Sequence, residues 1–206
     1  MRTHALLAAA ALLAAVAPAS AQTQQQRAQG AQSQTGSPPM ADPAAPAAGT
    51  SATGSRAAAL TAAAFARTAA MSDLYEMEAS RLAEQRSQNA QVKQFAQHMI
   101  RDHGKTTSEL KGMLPQLQGV SASQMPTSLD QQHQALVQQL QGAQGAQFDR
   151  VYAQQQVQSH QTAVGMFRSY AQSGDDARLK QWASQTLPSL EEHLRQAQQL
   201  QRATQG

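Results

Sequence analysis

The stretch Val92–Leu114, VKQFAQHMIRDHGKTTSELKGML, carries the repeat that decides the fold of this chain. Its apolar residues recur every three or four positions, which predicts a helix with one buried face. The members of this stripe are Val92, Phe95, Ala96, Met99, Thr106, Leu110 and Met113. His103 falls in the same stripe, with Asp102 beside it. The pattern therefore places a titratable side chain where a core residue is expected.

Gly104 leaves two interpretations of this stretch open. A glycine inside a helix costs about 1 kcal/mol relative to alanine, and the sequence of residues 106–109 has the form of a capping box that would begin a new helix. The apolar stripe keeps its phase across the glycine, however, which favours one continuous helix over residues 90–114. Asn89 is the expected N-cap of that helix.

The same spacing predicts three more long helices, over residues 60–88, 147–173 and 176–202. A shorter helix over residues 128–141, capped by Thr127, is predicted in the central crossing. No segment alternates with the period of two that is typical of half-buried strands. The sequence thus predicts an all-α, antiparallel four-helix bundle with a short extra helix in its central crossover.

The first 56 residues differ in composition from this bundle. Residues 1–21 have a basic start, a short apolar run and the ending Ala19-Ser20-Ala21, which predicts a secretory signal peptide cleaved after its last residue. Residues 22–56 are rich in Gln, Ala, Ser, Gly and Pro, which predicts a disordered low-complexity linker. The expected order is signal peptide, linker and a bundle domain over residues 57–204, in an exported, periplasmic protein.

The composition excludes several classes of protein. The chain has 206 residues and no cysteine, so a disulfide framework, a thiolate metal site and a cysteine nucleophile are excluded. No block of Lys and Arg with interleaved aromatic residues occurs, so nucleic-acid binding is not expected despite the net charge of +3. The early apolar run is too short for a good membrane span, so no transmembrane helix is expected in the mature chain. A protein partner in the cell envelope is compatible with these features, and the oligomeric state is left open.

Two further histidines share the inward placement of His103. His160 and His193 lie on the apolar stripes of the third and fourth long helices. Glu76 falls on the stripe of the first helix and Glu78 on an adjacent stripe, so either side chain could face the core. Carboxylates close to the histidines in the sequence could orient their rings by hydrogen bonds. These residues are Asp102, Asp149 and Glu192.

Three inward histidines on three helices leave three functions open. With a carboxylate they can bind one Zn(II), Cu(II), Fe(II) or Ni(II) ion. The corresponding ligand set is His103, His160, His193, Glu76 and Glu78. Alternatively, buried hydrogen bonds between histidines and acids only hold the helices in register. A metal-dependent oxidoreductase is the least favoured of the three, and no catalytic residue is assigned.

Three separated motifs resemble a known family. The motifs are EMEASRLAEQRSQNAQVKQFAQHMIRDHGKTTSEL (76–110), FDRVYAQQQVQSHQTAVGMF (148–167) and LPSLEEHLRQAQQL (187–200). They resemble the exported bacterial proteins of the domain of unknown function 4142 family. The resemblance implies a ferritin-like four-helix bundle behind a signal peptide, and no settled activity. It carries over, as family-pattern positions, Glu76, Glu78, Asp102, His103, Phe148, Asp149, Tyr152, His160, Pro188 and His193.

The chain departs from the ligand pattern of ferritin-like di-iron sites. Such sites take a Glu-x-x-His pair from each of two helices. Here the residues three positions before the histidines are Ile100, Val157 and Leu190. A ferritin-like scaffold is therefore expected without the chemistry of a di-iron oxidase.

Overall fold

The computed structural model describes residues 60–205, and over that range it contains five α-helices, two short 3-10 helices and no strand. The α-helices are α1 (Ala62–Arg86), α2 (Ala90–Met113), α3 (Gln131–Gly142), α4 (Gly145–Ser173) and α5 (Ala177–Gln205). The predicted signal peptide (1–21) and linker (22–56) lie outside the described residues. No helix in the described range is both long enough and apolar enough to cross a bilayer.

The four long helices form two antiparallel hairpins. Residues 87–89 connect α1 to α2, and residues 174–176 connect α4 to α5, so the two members of each hairpin run in opposite directions. Contacts between α1 and α4 join the hairpins, and α3 packs on both of these helices. The packing of α2 against α5 is looser than the packing within either hairpin. The predicted all-α four-helix bundle with a short helix in the crossover is thus confirmed.

The ends and the continuity of α2 follow the sequence closely. The side-chain oxygen of Asn89 accepts the backbone N–H of Gln91 at 2.9 Å, as expected of an N-cap. The helix continues through Gly104 without a break. The hydroxyl of Thr106 does not cap a new helix, because it donates to Asp73 on α1 at 2.9 Å. The interpretation with one continuous helix is therefore the correct one.

The predicted start of α3 was wrong. The helix begins at Gln131, and its N-cap is Asp130 rather than Thr127. The Asp130 carboxylate accepts the backbone N–H of His133 at 2.9 Å and lies 2.7 Å from Nδ1 of the same residue. An ionised carboxylate is favoured at a helix N-terminus by the free N–H groups and the helix dipole. These contacts, the backbone hydrogen bond first, lower the pKa of Asp130.

The core consists of two apolar clusters with a polar layer between them. The first cluster contains the aromatic residues Tyr75, Phe95, Phe148 and Tyr152. The second contains Phe65, Phe167, Tyr170 and Trp182. On every long helix, the buried residues on one side of a buried polar side chain belong to one cluster, and those on the other side belong to the other cluster. This polar layer consists of Asp73, Glu76, His103, His160 and His193.

Gly104 provides a test of the continuous helix. A Cβ atom at this position would meet no other atom within 4 Å, so alanine adds helix propensity without a steric penalty. We expect Gly104→Ala to raise the free energy of unfolding by about 0.5–1 kcal/mol in urea denaturation.

Gly119→Ala is the matched control, because Gly119 also has open space around it but a backbone φ of +69°. An alanine is strained in this left-handed conformation, so the control substitution is expected to lower stability. A Gly104→Ala variant that is no more stable than the natural protein would contradict the continuous helix.

Candidate metal centre

The three inward histidines meet in the middle of the bundle. His103, His160 and His193 each place one ring nitrogen within 4.8 Å of the other two. Their ring centroids are 5.4 to 5.7 Å apart. The exposed fractions of the three residues are only 1 to 3%. Because the rings come from α2, α4 and α5, their meeting requires the same depth on three separate helices.

Carboxylates orient two of the three rings. His103 Nδ1 lies 2.8 Å from Oδ1 of Asp73, which is itself buried on α1. His193 Nε2 lies 2.9 Å from Oδ2 of Asp102 on α2. An ionised carboxylate can only accept a hydrogen bond, so these two nitrogens carry the protons. The lone pair of each neutral ring is thereby assigned to the other nitrogen.

The third ring is oriented by its own helix. His160 Nδ1 donates to the backbone carbonyl of Gln156, one turn earlier, at 2.9 Å. The remaining nitrogens are Nε2 of His103, Nε2 of His160 and Nδ1 of His193, and each is buried without a hydrogen-bond partner in the described range. The polar layer thus holds three buried imidazole nitrogens that no group in the described range satisfies.

An unpaired carboxylate and an unpaired amide lie beside these rings. Glu76 is 1% exposed, and its Oε1 lies 3.9 Å from His160 Nδ1. Neither oxygen of Glu76, and neither polar atom of the Gln156 side chain, has a hydrogen-bond partner within residues 60–205. Each unpaired buried polar group costs about 1–3 kcal/mol, and a charged one costs more. A bound cation would satisfy the imidazoles and offset the charge of the carboxylate.

Three residues predicted for the site lie away from it. Glu78 is exposed on the outer face of α1, so the structure does not bring it to the histidines. Asp149 instead accepts a hydrogen bond from the Ser87 hydroxyl at 2.6 Å, near the turn between α1 and α2. Glu192 accepts a hydrogen bond from the Gln196 amide at 2.7 Å and has none with His193. Of the predicted acids, only Glu76 and Asp102 take part in the centre.

The sequence pattern did not identify three residues of this region. Asp73 lies three residues before Glu76 and shares its buried face on α1. Gln156, whose carbonyl orients a ring, lies one helical turn before a histidine. His98 lies one turn before Asp102 and is 3.1 Å from its carboxylate. The i, i+3 and i, i+4 spacings were the available signals for all three.

The pKa values of the three histidines shift in different directions. Burial lowers the pKa of His160. Burial also lowers the pKa of His193 to about 4, and the neighbouring rings add to this effect although Asp102 opposes it. For His103, the hydrogen bond to Asp73 and the nearby acids outweigh the effect of burial, so its pKa is raised. His160 and His193 are therefore neutral near pH 7, which is the form that coordinates metals.

A cleft of about 690 Å³ leads from the surface to this centre. It lies where α2 and α5 pack loosely, and its lining includes Asp102, His103 and His193. Trp182 donates its indole N–H to Glu109 across the cleft at 3.1 Å. The cleft gives an ion an approach to an otherwise buried group of ligands.

The chain matches a family model and is similar in fold to solved structures, among them the two that follow. The model described as Domain of unknown function (DUF4142) matches residues 46–200. CopM in the Cu(II)-bound form is 21% identical, with a TM-score of 0.59, over 70% of this chain and 97% of that one. A Streptomyces coelicolor protein described as secreted and as DUF305 is 18% identical, with a TM-score of 0.56, over 69% of this chain and 91% of that one. Identities this low indicate a shared helical fold only. No protein with a curated description matched the chain.

The pKa shifts predict that the metal-free protein loses stability in acid. Because the pKa of His193 is about 4 in the folded state and about 6.5 in the unfolded chain, the unfolded chain binds the proton first as the pH falls. The stability linked to this residue is complete above pH 6.5 and is lost between pH 6.5 and about 4. The loss is on the order of 3 kcal/mol. The lowered pKa of His160 also reduces stability as the pH falls, whereas the raised pKa of His103 increases stability as the pH falls.

This pH dependence can be measured by urea unfolding between pH 7 and pH 4 in the presence of a chelator. We expect the free energy of unfolding of His193→Gln to fall less steeply over this interval than that of the natural protein. An equally steep fall in both proteins would show that His193 is not the titrating group.

Proposed function

The chain belongs to the DUF4142 family, and we propose that it is an exported protein of the cell envelope that binds one transition-metal ion through His103, His160 and His193. The observation that carries the proposal is the convergence of three buried imidazoles whose free nitrogens have no partner within the described residues. The pattern of residues 1–21 supports export, since it has the features of a secretory signal peptide.

The donor set favours a borderline transition metal. Imidazole nitrogens suit Zn, Cu, Ni and Fe, whereas Mg²⁺ and Ca²⁺ prefer oxygen ligands. Among divalent ions Cu(II) binds most tightly to a given nitrogen site. The fold is shared with CopM, whose structure is of a Cu(II)-bound form. Copper is therefore the first metal to test, followed by zinc.

The acids of the polar layer, together with Asp102 at its edge, would compensate the charge of the ion. Glu76 supplies a buried carboxylate next to the histidines. Asp73 and Asp102 accept hydrogen bonds from His103 and His193, which fixes the rings and increases their basicity. A divalent ion in this layer would thus be surrounded by neutral ligands and countered by nearby negative charge.

We place the function in binding rather than in catalysis. The chain has no Glu-x-x-His pair at the three histidines, so the ligands of a di-iron oxidase are missing from these positions. The alternative function is that of an envelope protein in which the buried network only fixes helix register. The 2.8 Å contact between His103 Nδ1 and Asp73 favours this alternative, because it satisfies these two atoms without a metal.

The proposal predicts one tightly bound metal equivalent per chain. Protein prepared without a histidine tag and loaded with Cu(II) or Zn(II) should retain one ion after desalting, measured by elemental analysis. At a free metal concentration of 100 times Kd, the ion should stabilise the fold by about 2.7 kcal/mol and raise the melting temperature. His160→Gln should abolish the retention of the ion through desalting and should reduce the rise in melting temperature.

His133→Ala is the control for this experiment. His133 is a half-buried histidine on α3 that contacts Asp130 and lies outside the polar layer, so its loss should leave metal content unchanged. A metal-free natural protein whose melting temperature does not respond to these ions would leave only the register-fixing function.

A second prediction concerns the carboxylate behind His103. Asp73→Asn should weaken metal affinity by about 10- to 100-fold, the usual effect of losing an acid that orients a ligating histidine. The asparagine has nearly the same shape and can still accept the hydroxyl hydrogen bonds of Thr106 and Thr107. Affinity can be measured by competition with a coloured chelator.

Glu78→Gln removes an exposed carboxylate from the same helix and should leave the affinity unchanged. If Asp73→Asn lowers stability but binds metal as tightly as the natural protein, Asp73 supports the fold and not the metal site.

A further inference from the structure

We propose that His98, Asp102 and His193 form an outer metal site, at which an ion is captured before it passes to the buried histidines. This inference rests on the proposed function of the buried centre. The outer site differs from that centre in two of its three residues, and it faces the surface. Its function is to load the centre, not to store a second ion.

The three donor atoms of the outer site are already close together. His98 Nε2 lies 3.1 Å from Oδ2 of Asp102, and His193 Nε2 lies 2.9 Å from the same oxygen. One donor atom from each residue lies within 4.8 Å of the other two. Neighbouring ligands on an ion with bonds of about 2.0–2.1 Å are separated by about 3 Å, so these distances suit a shared ion.

Both ring nitrogens of His98 face acceptor atoms of neighbouring side chains. The Gln196 amide donates to Glu192 at 2.7 Å, which turns its carbonyl oxygen towards His98 Nδ1 at 3.1 Å. Nδ1 therefore donates to the Gln196 carbonyl, and Nε2 is directed at the Asp102 carboxylate. A metal ion bound by His98 Nε2 and Asp102 Oδ2 would take the place of the proton between these two atoms, which lie 3.1 Å apart.

The outer site spans the surface and the interior. The side chains of His98 and Asp102 are 32% and 37% exposed, whereas that of His193 is 3% exposed. An ion from solution therefore meets His98 and Asp102 first. His193 belongs to both groups, because its Nε2 faces the outer site and its Nδ1 is the unpartnered nitrogen on the side of the buried centre.

A neutral His193 can serve only one of the two sites at a time. Its single lone pair is on Nε2 when the ion is outside and on Nδ1 when the ion is inside. As the ion moves inward, Nδ1 releases its proton and Nε2 takes up one, which then forms the hydrogen bond to Asp102. Solvent in the cleft accepts the proton from Nδ1 and supplies the one on Nε2, so the number of protons on the ring is unchanged.

The first test measures the rate of metal uptake in His98→Ala. The natural protein and the variant are mixed with Cu(II) in a stopped-flow instrument, and binding is followed by absorbance. We expect His98→Ala to bind one equivalent with unchanged affinity but to load about tenfold more slowly, the lower end of the gain that a focusing cleft gives to association. His133→Ala is the matched control, since its ring also contacts an aspartate, at 2.7 Å, and it should load at the natural rate.

The second test isolates the outer site at equilibrium. His103→Gln/His160→Gln removes two ligands of the buried centre and should keep one weaker Cu(II) equivalent, which is lost when His98→Ala is added. The fold of each variant is checked by circular dichroism; if the double variant does not fold, His160→Gln alone takes its place.

The outcomes separate the two proposals. If the natural protein binds one ion and His98→Ala loads at the same rate, the outer site is refuted and the buried centre stands. If the variants without the buried ligands bind no Cu(II), the outer site is likewise refuted. If the natural protein binds no metal in either test, the proposed function itself fails.

Discussion

The polar layer at the middle of the bundle is the constraint on which the rest of this structure depends. Three imidazoles and two carboxylates are buried there, and several of their atoms have no hydrogen-bond partner among the described residues. Burial of such groups costs free energy, because each would be hydrogen-bonded to water if the helices separated. The two apolar clusters oppose this tendency from both ends. In one of them Phe65 stacks on Tyr170 with ring centroids 3.9 Å apart.

The acceptors behind the rings determine what the layer can bind. Asp73, Asp102 and the Gln156 carbonyl each accept a hydrogen bond from one ring N–H group, which leaves the other nitrogen of each neutral histidine as an acceptor. Had the rings donated towards one another, the same residues would have formed an ordinary buried network. The hydrogen bonds outside the three histidines, rather than the histidines alone, therefore support the metal site that we propose.

This chain shares its helical fold with other bundles, but the fold does not determine its set of buried polar residues. CopM and the DUF305 protein share the arrangement of helices with this chain at identities of 21% and 18%. A shared fold at such identities does not indicate which ligands this chain binds. A di-iron bundle takes carboxylates and histidines from paired positions on its helices. The polar layer of this chain instead combines one histidine from each of α2, α4 and α5 with two carboxylates from α1, and we propose that this set serves a single ion.

The sequence by itself determined the helices, their buried faces and the inward direction of His103, His160 and His193. These features follow from local periodicity, which needs only the 3.6-residue turn of the helix. The same reasoning placed Asn89 at the start of α2 and carried that helix through Gly104. It failed at Thr127, because neighbouring residues can compete to cap a short helix and only one fits the backbone.

Tertiary structure decided which of these residues meet. A stripe on a helix specifies a face, but it does not specify the depth at which that face contacts a neighbouring helix. The partnership of Asp73 with His103, the placing of Asp149 beside Ser87 and the contact of His98 with Asp102 all depend on contacts between side chains in their packed positions. Glu78 faces solvent because of the way α1 is rotated about its own axis. A different rotation of the same helix would bury Glu78 and expose Glu76. Packing of the aromatic clusters sets that rotation and that depth, and it thereby brings the three histidines together.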